Sequence, residues 1–334
     1  MKSLVLFLAT LAASPVAAQD LDKVSFGTNW FAQGGHGGWY QAVADGTFEK
    51  YGIELEIRSG GPQVNNRPML PAGQLDFLMA GNLLLSFDNV RNDIPTIVVA
   101  AFFQKDPQIL MAHKGAYEDF ADLVNAPKVL VSRDGQISYW QWLVKEHGFK
   151  EEQVRPYSYN LAEFLTDQTI VQQGYGTSEP LYAAKEGADP ESYLLADYGW
   201  NTYSTTVEAR TEMVAENPDL VQRFVDASII GWYNYLYGDA TLGNEAIIAA
   251  NPEYTIDLLN EEIEAMKVLG IVDAGYSLEK GIGAIDPAQV AAFYDLAVNA
   301  GILEAGSVDP SLVATDQFVN KGVGLDLRKT LTGE

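Results

Sequence analysis

The sequence predicts an α/β chain folded into two lobes. Three observations carry that expectation: a strand, loop, helix, strand unit at 24–57, a smaller set of βα units between 129 and 207, and a mostly helical final third. In the first unit Val24-Ser25-Phe26 alternates, a Gly-rich turn follows (Gly34, Gly35, Gly37, Gly38), and an amphipathic helix carries Trp39, Val43 and Phe48. The helix breaks at Asp45-Gly46 and stops at Gly52, after which Ile53, Leu55 and Ile57 alternate with Glu54 and Glu56. Period two places those aliphatics on one face of a strand. The unit has the length of a right-handed βαβ crossover, and in open parallel sheets a ligand sits beyond the carboxyl ends of the strands. Here that means Asn29, Trp30 and the Gly-rich turn.

The later elements follow in order. Arg67–Pro71 reads as one helical turn, 76–82 as a buried strand ending in Gly81-Asn82, and 83–92 as a helix. Ile94–Phe103 is the longest β-rich run, and it passes through Gln104-Lys105-Asp106-Pro107 into a further strand at 109–111. An extended stretch with a polar and proline interruption is expected to cross between lobes. Strands are expected at 129–132, 169–171 and 192–196, a turn at 133–136, and a helix over 137–147 closed by Gly148. Ser178 and Pro180 can open another helix, and Thr205-Thr206-Val207 extends back toward the first lobe. Helices are expected at 218–237, 244–250, 255–270 and 287–300, the first and last opened by Asn/Asp-Pro. The first lobe is thus expected to be discontinuous, 20–107 plus 208–320, with 108–207 inserted and 321–334 a polar tail.

Address and charge narrow the function classes. Lys2, the apolar run 4–13, Pro15 and the small residues Val16-Ala17-Ala18 read as a cleaved secretory leader, residues 1–18. The absence of cysteine excludes disulfides, thiolate metal sites and a lipid-modified cysteine. A free exported chain fits a periplasm. A net charge of −24 with no basic cluster repels nucleic acid and anionic lipid.

Enzymatic motifs fail one by one. A P-loop would close on Gly-Lys-Ser/Thr, where Trp39 and Tyr40 stand; a dinucleotide fingerprint from Gly35 fails at Tyr40. The glycines either let a loop turn tightly or, the better-supported reading, set unpaired helix N–H groups beside Asn29, Trp30 and His36 toward a polar or anionic ligand. There is no nucleophile elbow, since Gly176-Thr177-Ser178-Glu179 breaks that pattern. His36, His113 and His147 lack ligand spacing, so neither metal nor cofactor is expected. His147 reads as a surface residue at a helix end and His113 as part of a strand.

Aromatic residues give the stronger signal. Of the 23 Tyr and Trp, 12 fall in 108–207, several near turns: Tyr157, Tyr159, Tyr175, Tyr198, Trp200 and Tyr203. With Arg133, Gln136 and Glu179 they suggest a stacking surface with polar readers, the composition of a small-molecule cleft. The candidate ligand-binding set is Asn29, Trp30, His36, Trp39, Asn82, Gln104, Arg133, Gln136, Tyr159, Tyr175, Glu179 and Trp200.

These residues resemble a family. Asn29-Trp30, Tyr40-Gln41-Ala42, Gly46 to Ile53, Asp76-Phe77 to Gly81, Gln173-Gly174-Tyr175 to Glu179-Pro180 and Asn217-Pro218 resemble the solute-binding proteins of bacterial ABC importers, in the group of thiamine-pyrimidine-precursor, alkanesulfonate and taurine binders. The resemblance implies a type II periplasmic binding protein fold, two crossing strands, hinge closure over a small-molecule solute, and delivery by a monomer to permease subunits. The same group contains a eukaryotic pyrimidine synthase with a cysteine-rich iron motif, from which this cysteine-free, leader-bearing chain departs. Asn29-Trp30 looks more like the pyrimidine branch than the sulfonate branch. An aminopyrimidine is therefore the expected ligand, ahead of a flavin or purine, with a sulfonate behind.

Overall fold

The computed structural model describes residues 20–61, 64–157 and 160–334; the expected leader and Tyr159 lie outside them. Among the described residues ten strands form two five-stranded mixed sheets, in the orders β2-β1-β3-β10-β4 and β7-β6-β8-β5-β9. The first contains β1 (Asp22–Gly27), β2 (Ile53–Arg58), β3 (Phe77–Asn82), β4 (Thr96–Phe103) and the late β10 (Ser204–Arg210). Strand β1 pairs parallel with β2 and β3, and β10 enters antiparallel between β3 and β4. The second sheet contains β5 (Gln108–His113), β6 (Lys128–Val131), β7 (Val154–Pro156), β8 (Ile170–Tyr175) and β9 (Pro190–Leu194). The chain therefore crosses between sheets twice, at 104–107 and at 195–203.

In the first lobe α1 (Gly37–Ala44) and α2 (Thr47–Lys50) connect β1 to β2, and α3 (Leu83–Arg91) follows β3. The inserted segment carries α4 (Arg133–Gln136), α5 (Tyr139–His147), α6 (Ala162–Thr166) and α7 (Glu179–Lys185). After β10 come α8 (Thr211–Glu216), α9 (Pro218–Tyr237), α10 (Thr241–Ala250), α11 (Ile256–Val268), α12 (Ser277–Lys280), α13 (Pro287–Asn299) and α14 (Leu325–Thr332). The Asn217 side chain caps α9 at Leu220 N and Pro218 occupies its first turn, as the sequence predicts. Asp286 does the same for α13. Gly148 ends α5 at φ 77°, a left-handed cap that glycine takes without a Cβ clash.

Three local expectations change. The turn at 133–136 is one turn of helix, because Ser132 Oγ accepts from Gly135 N at 3.1 Å. His147 is half-buried, edge-on to Trp142 and Phe120. Within 321–334, residues 325–332 form α14, whose Arg328 pairs with Asp273 at 2.6 Å and lies over the Tyr237 ring. Its apolar contribution is small, which hid it in the sequence.

The glycines of the turn after β1 serve close helix packing. A Cβ on Gly37 would stand 2.0 Å from the Tyr235 ring, and one on Gly38 2.3 Å from the Trp232 ring, so α9 lies directly on the start of α1. Around that contact Trp39, Phe26, Phe102, Phe224 and Trp232 form an aromatic core.

Candidate functional site

The two lobes meet through α7, α11 and the crossings, where Lys185 pairs with Glu261 and Asp106 interacts with Asn82 at the end of β3, and in open α/β sheets a ligand is sought beyond the carboxyl ends of the strands. Asn29 is exposed and Trp30 half-buried in the turn beyond β1. That turn is held by backbone: Thr28 N donates to Arg58 O at 2.9 Å and Gly60 N to Trp30 O at 3.1 Å. Asn66 Nδ2 donates to Thr28 O at 2.9 Å. A Cβ on Gly60 would meet Thr28 O and Asn29 C at 2.6 Å, so this crossing of two chain segments needs glycine. Asn82, at the end of β3, is half-buried and caps α3 by accepting from Leu84 N at 3.1 Å.

On the second lobe Arg133 stands exposed on α4, outside every ion pair among the described residues. Neither Asp134 nor another described acid holds it. Gln136 is half-buried and donates to Val131 O at 2.9 Å. Glu179 Oε2 accepts from Tyr175 N at 2.7 Å and from Ser178 Oγ at 2.6 Å, which ties the start of α7 to the end of β8. Gln173 Oε1 accepts from Ser132 N and from the Tyr139 hydroxyl, and so sets the α4 loop.

Three expected ligand residues belong to the interior instead. Trp39 is fully buried and donates to Ser228 Oγ at 3.1 Å. Trp200 is fully buried, donates to Asp106 Oδ2 at 3.2 Å and packs on Trp142 and Phe293. Gln104 is 5% exposed and spends its amide on Ala101 O and Ala284 O, at 2.8 and 2.9 Å. The expected aromatic surface of 108–207 is largely packing too. Tyr157 and Tyr203 are buried, and Tyr198 stacks on Phe120 at 3.8 Å.

The sequence reading missed two buried acids at the lobe junction. Asp106, in the first crossing, accepts from Gln108 N and Trp200 Nε1 and interacts with Asn82, so it joins both crossings to the end of β3. Burial pushes its pKa up to about 6. Glu262 on α11 is 2% exposed and accepts from Gly34 N at 2.8 Å through Oε2. Burial pushes it up to about 8, against the pull of the Gly34 N–H. The N–H expected to face an anionic ligand thus faces the protein's own carboxyl. A sequence signal existed: Glu262 interrupts the apolar stripe Leu258, Leu259, Ile263, Met266, at a position that points inward. In the same turn His36 is 1% exposed, both ring nitrogens lack a partner among the described residues, and burial lowers its pKa to about 3.

Helix α11 also closes the junction. Lys185 of α7 pairs with Glu261 at 3.2 Å, and the Tyr182 and Tyr254 rings meet edge to face at 6.4 Å. A cavity of about 420 Å³ lies away from the junction, among Asp22, Lys50, Tyr51 and Arg223. A second, of about 190 Å³, lies by the edge strand β9 with Leu269, just past the end of α11. The convergence of strand ends and polar groups, not cavity size, locates the site.

The sheet order, with a late antiparallel strand inserted before the edge and two crossings, defines the periplasmic binding protein fold of type II. The chain belongs to the NMT1/THI5-like family, whose model matches residues 33–238. No curated protein matches it. Among solved structures it is similar to the periplasmic aliphatic sulphonate binding protein SsuA of Escherichia coli, at 12% identity and a TM-score of 0.65 over 88% of this chain and 92% of that one. It is similar also to the periplasmic nitrate-binding protein NrtA of Synechocystis PCC 6803, at 13% identity and a TM-score of 0.60 over 90% and 88%. At those identities the likeness is one of fold.

Proposed function

We propose that this chain is the exported, periplasmic solute-binding component of an ABC importer, without chemistry of its own, and that it binds a planar nitrogen heterocycle between its lobes. An aminopyrimidine such as the thiamine precursor is the first candidate. The observation that carries the reading is the set of groups beyond strand ends of the two lobes: the half-buried indole of Trp30 on one lobe, Glu179 and the unpaired Arg133 on the other. A flat ring stacks on the indole, while its edge alternates donors and acceptors for the acid and the guanidinium. Asn29, Asn82, Gln136, Tyr175 and His36 complete the proposed contacts. Domain limits of 20–107 with 208–320, and 108–207, put those contacts on two bodies that close as a hinge, and the closed monomer is what the permease would receive.

A sulfonate fits this junction less well. It would want helix-start N–H groups and more than one cation, yet the Gly34 N–H is committed to Glu262 and two acids stand nearby. Thermal-shift screening against pyrimidines, flavins, purines and sulfonates tests the reading. Stabilisation by an aminopyrimidine is the expected result; stabilisation by sulfonates alone overturns it. Recovery of the solute unchanged after incubation supports a binder over a synthase, and steady turnover would refute it.

A further inference from the structure

Helix α11 of the first lobe meets α7 of the second along a seam that begins at the crossings. Leu269, just past α11, stands against Gly176, just past β8: a Cβ on Gly176 would lie 2.9 Å from Leu269 Cδ1, so the lobes touch at a residue without a side chain. The first crossing is bound into the same place. Gln104 N donates to Ile271 O at 2.7 Å, and Gly176 N donates to Pro107 O at 2.8 Å. Two further contacts lie toward the start of α11. The Tyr182 and Tyr254 rings meet edge to face at 6.4 Å, with Tyr254 a hydrogen-bond partner of Tyr182, and Lys185 Nζ lies 3.2 Å from Glu261 Oε2. Each helix is also tied to a turn of its own lobe: Glu262 Oε2 accepts from Gly34 N at 2.8 Å, and Glu179 Oε2 from Tyr175 N at 2.7 Å. Motion of α7 against α11 is therefore motion of the two halves of the proposed site.

We propose that this seam is a built-in clasp between the lobes. Leu269 against Gly176 is the point on which they turn, and the Lys185–Glu261 pair with the Tyr182–Tyr254 contact holds them together before a solute arrives. The inference rests on the solute-binding reading and deepens it by naming what sets the resting position of the lobes. Geometry separates the two roles. A contact beside the crossings moves little when the lobes rotate, whereas Glu261 lies about 12 Å along α11 from Leu269, and a rotation of about 20° would carry it about 4 Å, enough to part the ion pair. The pair is exposed on both sides, so it adds little to the stability of the fold. Between two lobes already joined by the crossings it has only to shift the balance of open and closed forms.

The test needs no solute. The chain has no cysteine, so thiols introduced by Glu49→Cys and Glu152→Cys are unique and can carry a pair of spin labels. Both positions are exposed; Glu49 leads into β2 and Glu152 into β7, the edge strands remote from the crossings, so the label separation follows the opening of the lobes. Pulsed spin-resonance distances on the solute-free mature chain should be dominated by the short separation. Lys185→Glu sets like charges across the seam and should raise the ratio of long to short separations by about twofold to fivefold. Lys185→Glu combined with Glu261→Lys rebuilds the pair with its charges exchanged and should restore the native distribution. Tyr182→Ala should act in the same direction as Lys185→Glu. An unchanged distribution in Lys185→Glu, a shift toward shorter separations, or a charge exchange that fails to restore it overturns the clasp. None of these outcomes depends on which solute binds, so the heterocycle reading stands or falls separately by its ligand screen.

Discussion

Gly34 N and Glu262 Oε2 lie 2.8 Å apart, a hydrogen bond that joins the turn after the first strand to a helix 228 residues later. The bond sits in the interior, so it also makes stability depend on pH. Burial raises the Glu262 pKa from its ordinary 4.5 to about 8. The folded chain then holds a proton that the unfolded chain has released, and stability present below about pH 4.5 is lost as pH rises through about 8. The ceiling is roughly 4–5 kcal/mol for so large a shift, and relaxation will reduce it. Asp106, raised to about 6, acts in the same direction over the lower part of the range. Solute-free denaturant midpoints should fall between about pH 5 and pH 9, and Glu262→Gln should flatten the upper half of that fall. An identical slope in the variant would remove Glu262 as the cause.

The glycines of the turn after β1 separate into two kinds. A Cβ at Gly35 would find its nearest neighbour, Gln33 Nε2, at 3.5 Å, whereas one at Gly37 would overlap the Tyr235 ring. Gly35→Ala should be tolerated, and Gly37→Ala should cost about 1–3 kcal/mol by overpacking. Gly60→Ala meets backbone rather than a side chain and should also shift Asn29 and Trp30, lowering solute affinity. Chemical denaturation of the three variants checks the order; equal stabilities would mean that α9 yields freely.

These cases show what was legible in the chain. Periodicity and caps give the elements closely, as for α9, because Asn217, Pro218 and an apolar stripe act within one helix. The site was only partly legible. Trp30, Arg133 and Glu179 stand at strand or helix ends, which sequence can locate. Trp39, Trp200 and Gln104 were misread because an indole or amide that faces a cleft looks in sequence the same as one that faces the core, and the choice is made by partners such as Ser228, Asp106 and Ala284 far along the chain. Glu262 carries no motif or charge cluster to single it out in sequence, although its place in the stripe of α11 marks it as inward.

Arg133 offers a clean contrast between binding and folding. It is exposed and joins no ion pair among the described residues, so Arg133→Met should change stability by less than about 0.5 kcal/mol. A charged hydrogen bond to solute would still be worth roughly 1.5–3 kcal/mol, about a tenfold to hundredfold rise in Kd. Isothermal titration beside thermal melts separates the two, and an unaltered dissociation constant would return Arg133 to the solvated surface.

Tryptophan fluorescence can assign the stacking partner, because the three relevant indoles occupy different environments. Trp39 and Trp200 are fully buried and hydrogen-bonded to Ser228 and Asp106, while Trp30 is half-buried at the lobe junction. A heterocycle stacked on Trp30 quenches that indole by direct contact and leaves the others to respond only to closure. Trp30→Ala should therefore abolish most solute-induced quenching and weaken binding by about 1–2 kcal/mol, with little loss of stability. Trp39→Ala should do the reverse, costing about 3–5 kcal/mol of stability through the cavity it leaves while quenching persists in the folded fraction. Trp200→Phe keeps most of the packing but deprives Asp106 of its indole N–H, so the brace between the crossings loosens. Its expected signature is a larger solute-free radius of gyration in small-angle scattering, recovered when solute closes the lobes. Quenching that survives in Trp30→Ala and vanishes in Trp200→Phe would move the ligand away from the end of β1 to the crossing strands.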